Sequence, residues 1–280
     1  MTATGVASGV EPASIQAGRR AGFGHLLLAE WTKIRSVRST AWTLVLFVVA
    51  TVGLTALLTW LIESNWTGPH ASTRDIRIVA DPVGFILGSG IGLGQLTICV
   101  LGVLLMSTEY STGVIRASLL AVPRRYPMLA AKLVVFGALM VVLSEIVSFG
   151  SFFVGSALLH SKVSVSLSDP DVLRAVLGAG FYLTALGIFA LGIAGIVRHT
   201  AAGISIVIGV VLVLPILSGL LPGSWGAHID AYLPEQAGTQ VFTVHPANAL
   251  LSAWQGLGIL CIWAVLALVI AGILLDKRDA

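Results

Sequence analysis

Charge is what this sequence has least of. Of 280 residues, 16 are Lys or Arg and 13 are Asp or Glu, together 10%, against 56% hydrophobic. Soluble domains carry roughly 25% charged residues, so a chain that faces water on all sides is excluded and an integral membrane protein is implied. Cysteine is nearly absent. Cys99 and Cys261 both lie inside apolar runs on different segments, which points to packing roles rather than a disulfide or a metal site. No G-x-x-x-x-G-K-[ST] stretch occurs, so the chain has no P-loop with which to hydrolyse ATP. Paired acids, metal clusters and nucleophile–base pairs do not stand out in the apolar segments, and no catalytic residue is assigned. His70, His160, His228 and His245 are scattered between those segments at spacings that describe no metal site.

What is present is apolar length. A spanning helix needs about 20 mostly apolar residues, and six segments qualify: 40–62, 83–107, 132–159, 174–197, 201–221 and 253–275. The first is uncharged, with Trp42 and Trp60 near its ends, as in an aromatic belt at headgroup depth. The fourth and fifth are separated only by Arg198, His199 and Thr200. Pro215 is expected to kink the fifth near its outer end. With the N-terminus inside, twelve Lys and Arg fall on inner segments and only Arg74, Arg77, Lys162 and Arg174 on outer ones. Both termini are therefore expected in the cytoplasm. Residues 1–22, rich in Gly, Ala and Ser, read as a disordered tail without the order of a signal peptide, and 276–280 as a short cytoplasmic tail.

Three polar constellations interrupt the apolar background. In FGHLLLAEWTKIRSVRST, residues 23–40, Phe23, Leu27, Trp31 and Ile34 recur at helical spacing while Glu30, Lys33, Arg35 and Arg38 fill the other side. This predicts an amphipathic helix over 23–39 lying in the interface; a plain positive-inside anchor would read the same way. In MSTEYSTGVIRASLLAVPRRYPMLAAK, residues 106–132, Ser111 or Thr112 can cap a helix over Gly113 to Ala121 that Pro123 stops. Ile115 and Leu119 lie loosely on one side and Arg116 on another, suited to docking in a partner's groove. Glu109 is placed to brace that piece through Arg116 or a helix N-terminus. A loop that only fixes topology needs neither the amphipathic helix nor its stop. The third constellation is Glu145, inside the third apolar segment. An acid there faces the bundle interior, a cavity or a partner; a substrate contact and a structural bond to Ser144, Ser148 or another span both stand. In GFILGSGIGLG, Gly88 and Gly92, then Gly90 and Gly94, have the G-x-x-x-G spacing of close helix packing. In HPANALLSAWQ, Pro246 suits the start of a short re-entrant or surface helix before the last span.

AEWTKIRSVRST before the first span and STEYSTGVIRASLLAVPRRYPMLAAK between the second and third resemble the membrane subunit of a type-2 ABC exporter, an ABC-2 permease. The resemblance covers essentially the whole chain, and E-Y-S-T-G-x-I-R is its most specific part. It implies an all-α membrane fold of six spans with an N-terminal elbow helix, including Glu30, Trp31, Lys33 and Arg35, and a short cytoplasmic coupling helix. Glu109, Thr112, Gly113, Ile115, Arg116, Leu119 and Pro123 would then couple to a separate cytoplasmic P-loop ATPase carrying the ATP and Mg. Two permease subunits, identical or related, would form the pore in the cell membrane. The expected function is export of an amphipathic or hydrophobic small molecule or lipid, with no cofactor on this chain and no nucleic-acid partner. A self-contained secondary transporter or channel, and a non-transporting adaptor or immunity protein, are the competing classes. Only one clear intramembrane acid and no visible repeat speak against the former.

Overall fold

The computed structural model describes residues 22–68, 72–113, 125–221, 224–245 and 250–278. All regular structure among these residues is helical: α1 (Phe23–Ser36), α2 (Arg38–Ser64), α3 (Thr73–Ala80), α4 (Pro82–Ser111), α5 (Arg125–Leu159), α6 (Val172–Val197), α7 (Thr200–Ile208), a π segment (Gly209–Val213), α8 (Leu214–Ser218), α9 (Ser224–Ala231), α10 (Pro234–Thr239) and α11 (Ala253–Arg278). Six stretches are long and apolar enough to cross a membrane: α2, α4, α5, α6, α11 and the run from Thr200 to Ser218. Helices answer the bilayer's demand that every backbone N–H and C=O find its partner within the segment.

The expected spans match these helices, and the differences lie at their ends. α4 starts at Pro82 because Asp81 caps it, its carboxylate accepting from the Gly84 N–H at 2.9 Å, with proline at the first helical position. It runs on to Ser111 because Thr108 donates back to the Leu104 carbonyl, and Ser111 and Thr112 to that of Thr108. Gly113, at φ 70°, then ends the helix in the left-handed conformation that glycine adopts at no steric cost. The hydroxyls of Ser111 and Thr112 therefore close α4 backwards rather than cap a helix ahead of them. The insert itself, 114–124, with Ile115, Arg116, Leu119 and Pro123, lies outside the described residues.

α6 is the most enclosed span and packs against α4, α5 and α11; α2 packs on α4 and α5. The fifth span breaks one turn before its proline. Pro215 has no N–H to offer the preceding turn, and the ladder widens to a π segment in which the Leu214 N–H reaches the Gly209 carbonyl. The two short helices between the fifth and sixth spans lie upstream of Pro246, which falls outside the described residues. α10 begins at Pro234 and packs against α11 and α6. Its Glu235 accepts a 3.4 Å bond from Gln95, whose amide oxygen accepts from the buried Tyr182 hydroxyl. Gln95 is near the midpoint of α4, so α10 dips deeply between the spans.

The glycine pairs of α4 separate cleanly. A Cβ on Gly90 would overlap the Thr51 carbonyl oxygen and the Thr55 hydroxyl of α2, and one on Gly94 the Thr51 side chain. A Cβ on Gly92 would meet nothing within 4 Å. Thr51, Thr55 and Thr59 form the facing stripe, fully buried, each hydroxyl satisfied by a carbonyl one turn back. Thus only the Gly90/Gly94 register is a close-packing seam. Gly90→Ala is expected to destabilise the protein by about 1–3 kcal/mol through overpacking, whereas Gly92→Ala is neutral or stabilising by up to about 1 kcal/mol. Melting of both variants in detergent checks this, and equal losses would contradict the assigned seam.

Candidate functional site

The last turn of α4 is gripped from both flanks immediately before the 114–124 insert. On one flank, Lys132 of α5 donates to Glu30 Oε2 of α1 at 2.6 Å and to Glu109 Oε1 at 2.8 Å. Lys33 of α1 donates to Glu30 Oε1 at 2.6 Å and to the same Glu109 Oε1 at 3.0 Å. Two ammonium groups and two carboxylates thus form a knot joining α1, α4 and α5. The Lys132 side chain is only 2% exposed, against 35% for Lys33. On the other flank, the Arg198 guanidinium stacks 4.9 Å from the centroid of the Tyr110 ring and donates at 3.0 Å to the Leu274 carbonyl of α11. Thr200 donates to Ser107 at 2.9 Å, and Tyr126 of α5 bonds Asp276 of α11. Five spans meet in these contacts: α4, α5, the end of α6, the start of the Thr200–Ser218 run, and α11.

The electrostatics of the knot are mutual. Burial alone would raise the Glu30 carboxyl, but Lys132 and then Lys33 outweigh it and hold it below its ordinary 4.5. Burial likewise opposes the charge on Lys33, yet Glu30 and Glu109 raise it above its ordinary 10.5. Both shifts favour the charged forms.

Several residues stand where the sequence does not place them. Glu30 was expected on the polar side of α1; it is the most buried residue of that helix at 4% exposure, on the face that also buries Ile34, while Phe23 and Trp31 of the apolar stripe are exposed. Residues 30 and 34 are one helical turn apart and share a face, so the acid beside the stripe was the available signal. Arg35 is exposed. Lys132, counted in the sequence only towards topology, is the centre of the knot. Glu109 has Lys33 and Lys132 as partners; Arg116 lies outside the described residues.

Glu145 is seated against α6 where Gly180 leaves room, since a Cβ on that glycine would overlap its carboxyl group. Both carboxyl oxygens are buried without a hydrogen-bond partner among the described residues. Ser148 donates to the Val176 carbonyl at 2.6 Å instead, and the Ser144 hydroxyl is also buried, with no partner among the described residues. Of the two readings of Glu145, the structural one through Ser144 or Ser148 has no hydrogen bond behind it among the described residues. Cys99 is buried in the core, whereas Cys261 lies exposed on α11. Among the described residues no three His, Cys, Asp or Glu side chains converge as metal ligands.

Beside the knot opens a cleft of about 430 Å³ between α1, α2 and α4, with Glu109, Lys33 and Lys132 at its polar wall and Leu101, Leu104 and Leu105 along its length. Neither a protein-family model nor a curated protein sequence matches this chain.

Removing one partner of a buried ion network leaves an uncompensated charge, at a cost of about 3–5 kcal/mol. Lys132→Met is expected to destabilise the fold on that scale. Lys33→Met should cost distinctly less, because Lys33 is part-solvated and Lys132 still serves both acids. Denaturant melts of the two variants decide this, and equal losses would show that Lys132 is not the centre. The contribution of Glu30 has a defined pH window. With its folded value below 4.5, it is complete above that pH and lost as pH falls through the lower value. The contribution of Lys33 is complete below 10.5 and lost as pH rises through its raised value. Wild-type melting temperature should therefore decline more steeply than that of Glu30→Gln below pH 4.5, and parallel curves would contradict the coupling.

Proposed function

We propose that the chain is the permease subunit of an ATP-driven exporter of the ABC-2 type, with α1 as its interfacial elbow helix and a coupling helix that begins after the left-handed Gly113, within residues 114–121 of the insert. The observation that carries this reading is the double grip on the last turn of α4. Glu109 is fastened to α1 and α5, and the neighbouring Tyr110 to the end of α6, directly before the insert. A segment pushed by a partner must move something stiff. Here displacement of Gly113 would be passed to three or more spans at once rather than absorbed by a loose loop.

In this reading a cytoplasmic P-loop ATPase binds ATP, closes, and moves the insert. The spans follow as a body and present a cavity to the outside, with both termini of the chain in the cytoplasm. Two such subunits line the path for an amphipathic or hydrophobic small molecule or lipid. A ligand or nucleotide shifts the balance of states only by its differential affinity for them, and in this reading the energy enters at the insert, with ATP hydrolysis assigned to the ATPase.

One observation favours a second reading. An intramembrane acid with neither oxygen bonded among the described residues, as Glu145 is, suits a secondary transporter in which it binds a coupling ion.

Purification of the tagged full chain in mild detergent from its native host separates the two. A stoichiometric P-loop ATPase is expected to accompany the wild type and to be lost on Leu119→Asp, with membrane insertion intact. A well-folded chain without an ATPase that moves solute in proteoliposomes would overturn the exporter reading in favour of the second.

A further inference from the structure

The cleft beside the charge knot has a graded lining. At its polar end stand Glu109 in the last turn of α4 and Thr112 just past it, Lys33 from α1, and Ser39 and Thr40 from the first turn of α2. Leu105, Leu104 and Leu101 follow along α4 into the span. From Thr112 to Leu101 is about 16 Å along a helix rising 1.5 Å per residue. The wall thus passes from mixed ionic and hydroxylic groups at one end to aliphatic side chains at the other, as a lipid passes from headgroup to acyl chain.

The ionic end has unused capacity of a specific kind. Glu109 is 7% exposed, its Oε1 accepts from both lysines, and its Oε2 is buried without a partner among the described residues. An acceptor left in that state costs free energy that a bound donor would recover. Lys33 retains partial exposure at the rim. The knot is neutral in sum, two ammonium groups against two carboxylates, so it offers no net attraction to a purely anionic headgroup. A donor that reaches the buried Glu109 Oε2 completes its bonding, and the part-exposed Lys33 ammonium, 3.0 Å from Glu109 Oε1, is open to an anion.

We infer that this cleft is a binding site for a phospholipid whose headgroup carries a primary ammonium, with that ammonium on the Glu109 carboxylate, the phosphate beside Lys33, and an acyl chain along Leu101, Leu104 and Leu105. A quaternary ammonium has no N–H to give Glu109, and a glycerol headgroup brings no positive charge. The inference needs only that the chain lies in a bilayer, and is independent of whether the insert couples to an ATPase.

Native mass spectrometry of the detergent-purified full chain tests it, with phosphatidylethanolamine, phosphatidylcholine and phosphatidylglycerol of identical acyl chains added in equal amounts. Charge-assisted hydrogen bonds discriminate on the order of tenfold, so retention of phosphatidylethanolamine about tenfold above either competitor is expected. Glu109→Gln should bring the ratio to phosphatidylcholine close to one, and Leu104→Trp, which fills the cleft, should abolish retention of all three. Equal retention of the three lipids by the wild type, or preference for phosphatidylglycerol, overturns the site without recourse to any variant. Undiminished retention by a folded Leu104→Trp protein overturns its location.

Discussion

A lysine ammonium shut away from water at the base of a membrane bundle must be neutralised where it stands. Transfer of an unpaired charge to low dielectric costs several kcal/mol even after relaxation, so Lys132 constrains everything around it. It requires Glu30, which brings α1 down onto α5, and it requires Glu109, which fixes the last turn of α4. Lys33 completes the neutrality by bridging the same two acids. The cleft between α1, α2 and α4 exists because the knot holds α1 at that station.

Away from the knot, close approach takes the place of charge. Lipid tails are as apolar as leucine, so burial alone does not drive helices together in a bilayer; small residues and satisfied hydroxyls do. The Gly90/Gly94 face meets the threonine stripe of α2, and Gly102 lies against the Gly187 carbonyl of α6. These contacts place α4 and α6 at the centre and leave broad apolar faces of α2, α5 and α11 outward, with Trp42 and Trp60 standing exposed near the two ends of α2. The bundle is therefore tight along its middle and ionically fastened at the end from which the insert departs.

Spans were legible because twenty apolar residues in a row have few other fates. Their ends were less so, since Thr108, Ser111 and Thr112 look like loop residues yet extend α4 by bonding backwards. Glu109 drew attention as a lone acid at a membrane boundary, but its partners could not be read from spacing: Glu30 and Lys132 are separated by 102 residues. Glu30 was assigned to the wrong face because helical periodicity sorts residues by polarity, and a buried ion pair violates that sorting. Pro215 was visible as a disruption, while the π segment that absorbs it lies a turn upstream, where the sequence is plain Gly-Val-Val-Leu-Val. Two G-x-x-x-G registers were equivalent on paper; only a facing helix could choose between them.

The order in which the knot's members leave the ribosome gives the assembly a sequence in time. Glu30 is made 102 residues before Lys132, and Glu109 follows only 23 residues ahead of it. At 5–20 residues per second, Glu30 waits roughly 5–20 s for its principal partner, with only Lys33 beside it. Over that interval the contact that anchors α1 to α5 is not yet available, and it becomes so only once Lys132 is made. A chain stalled before residue 132 would carry two acids without their central cation. That is a chemical mark of incompleteness, borne by the chain until Lys132 is in place.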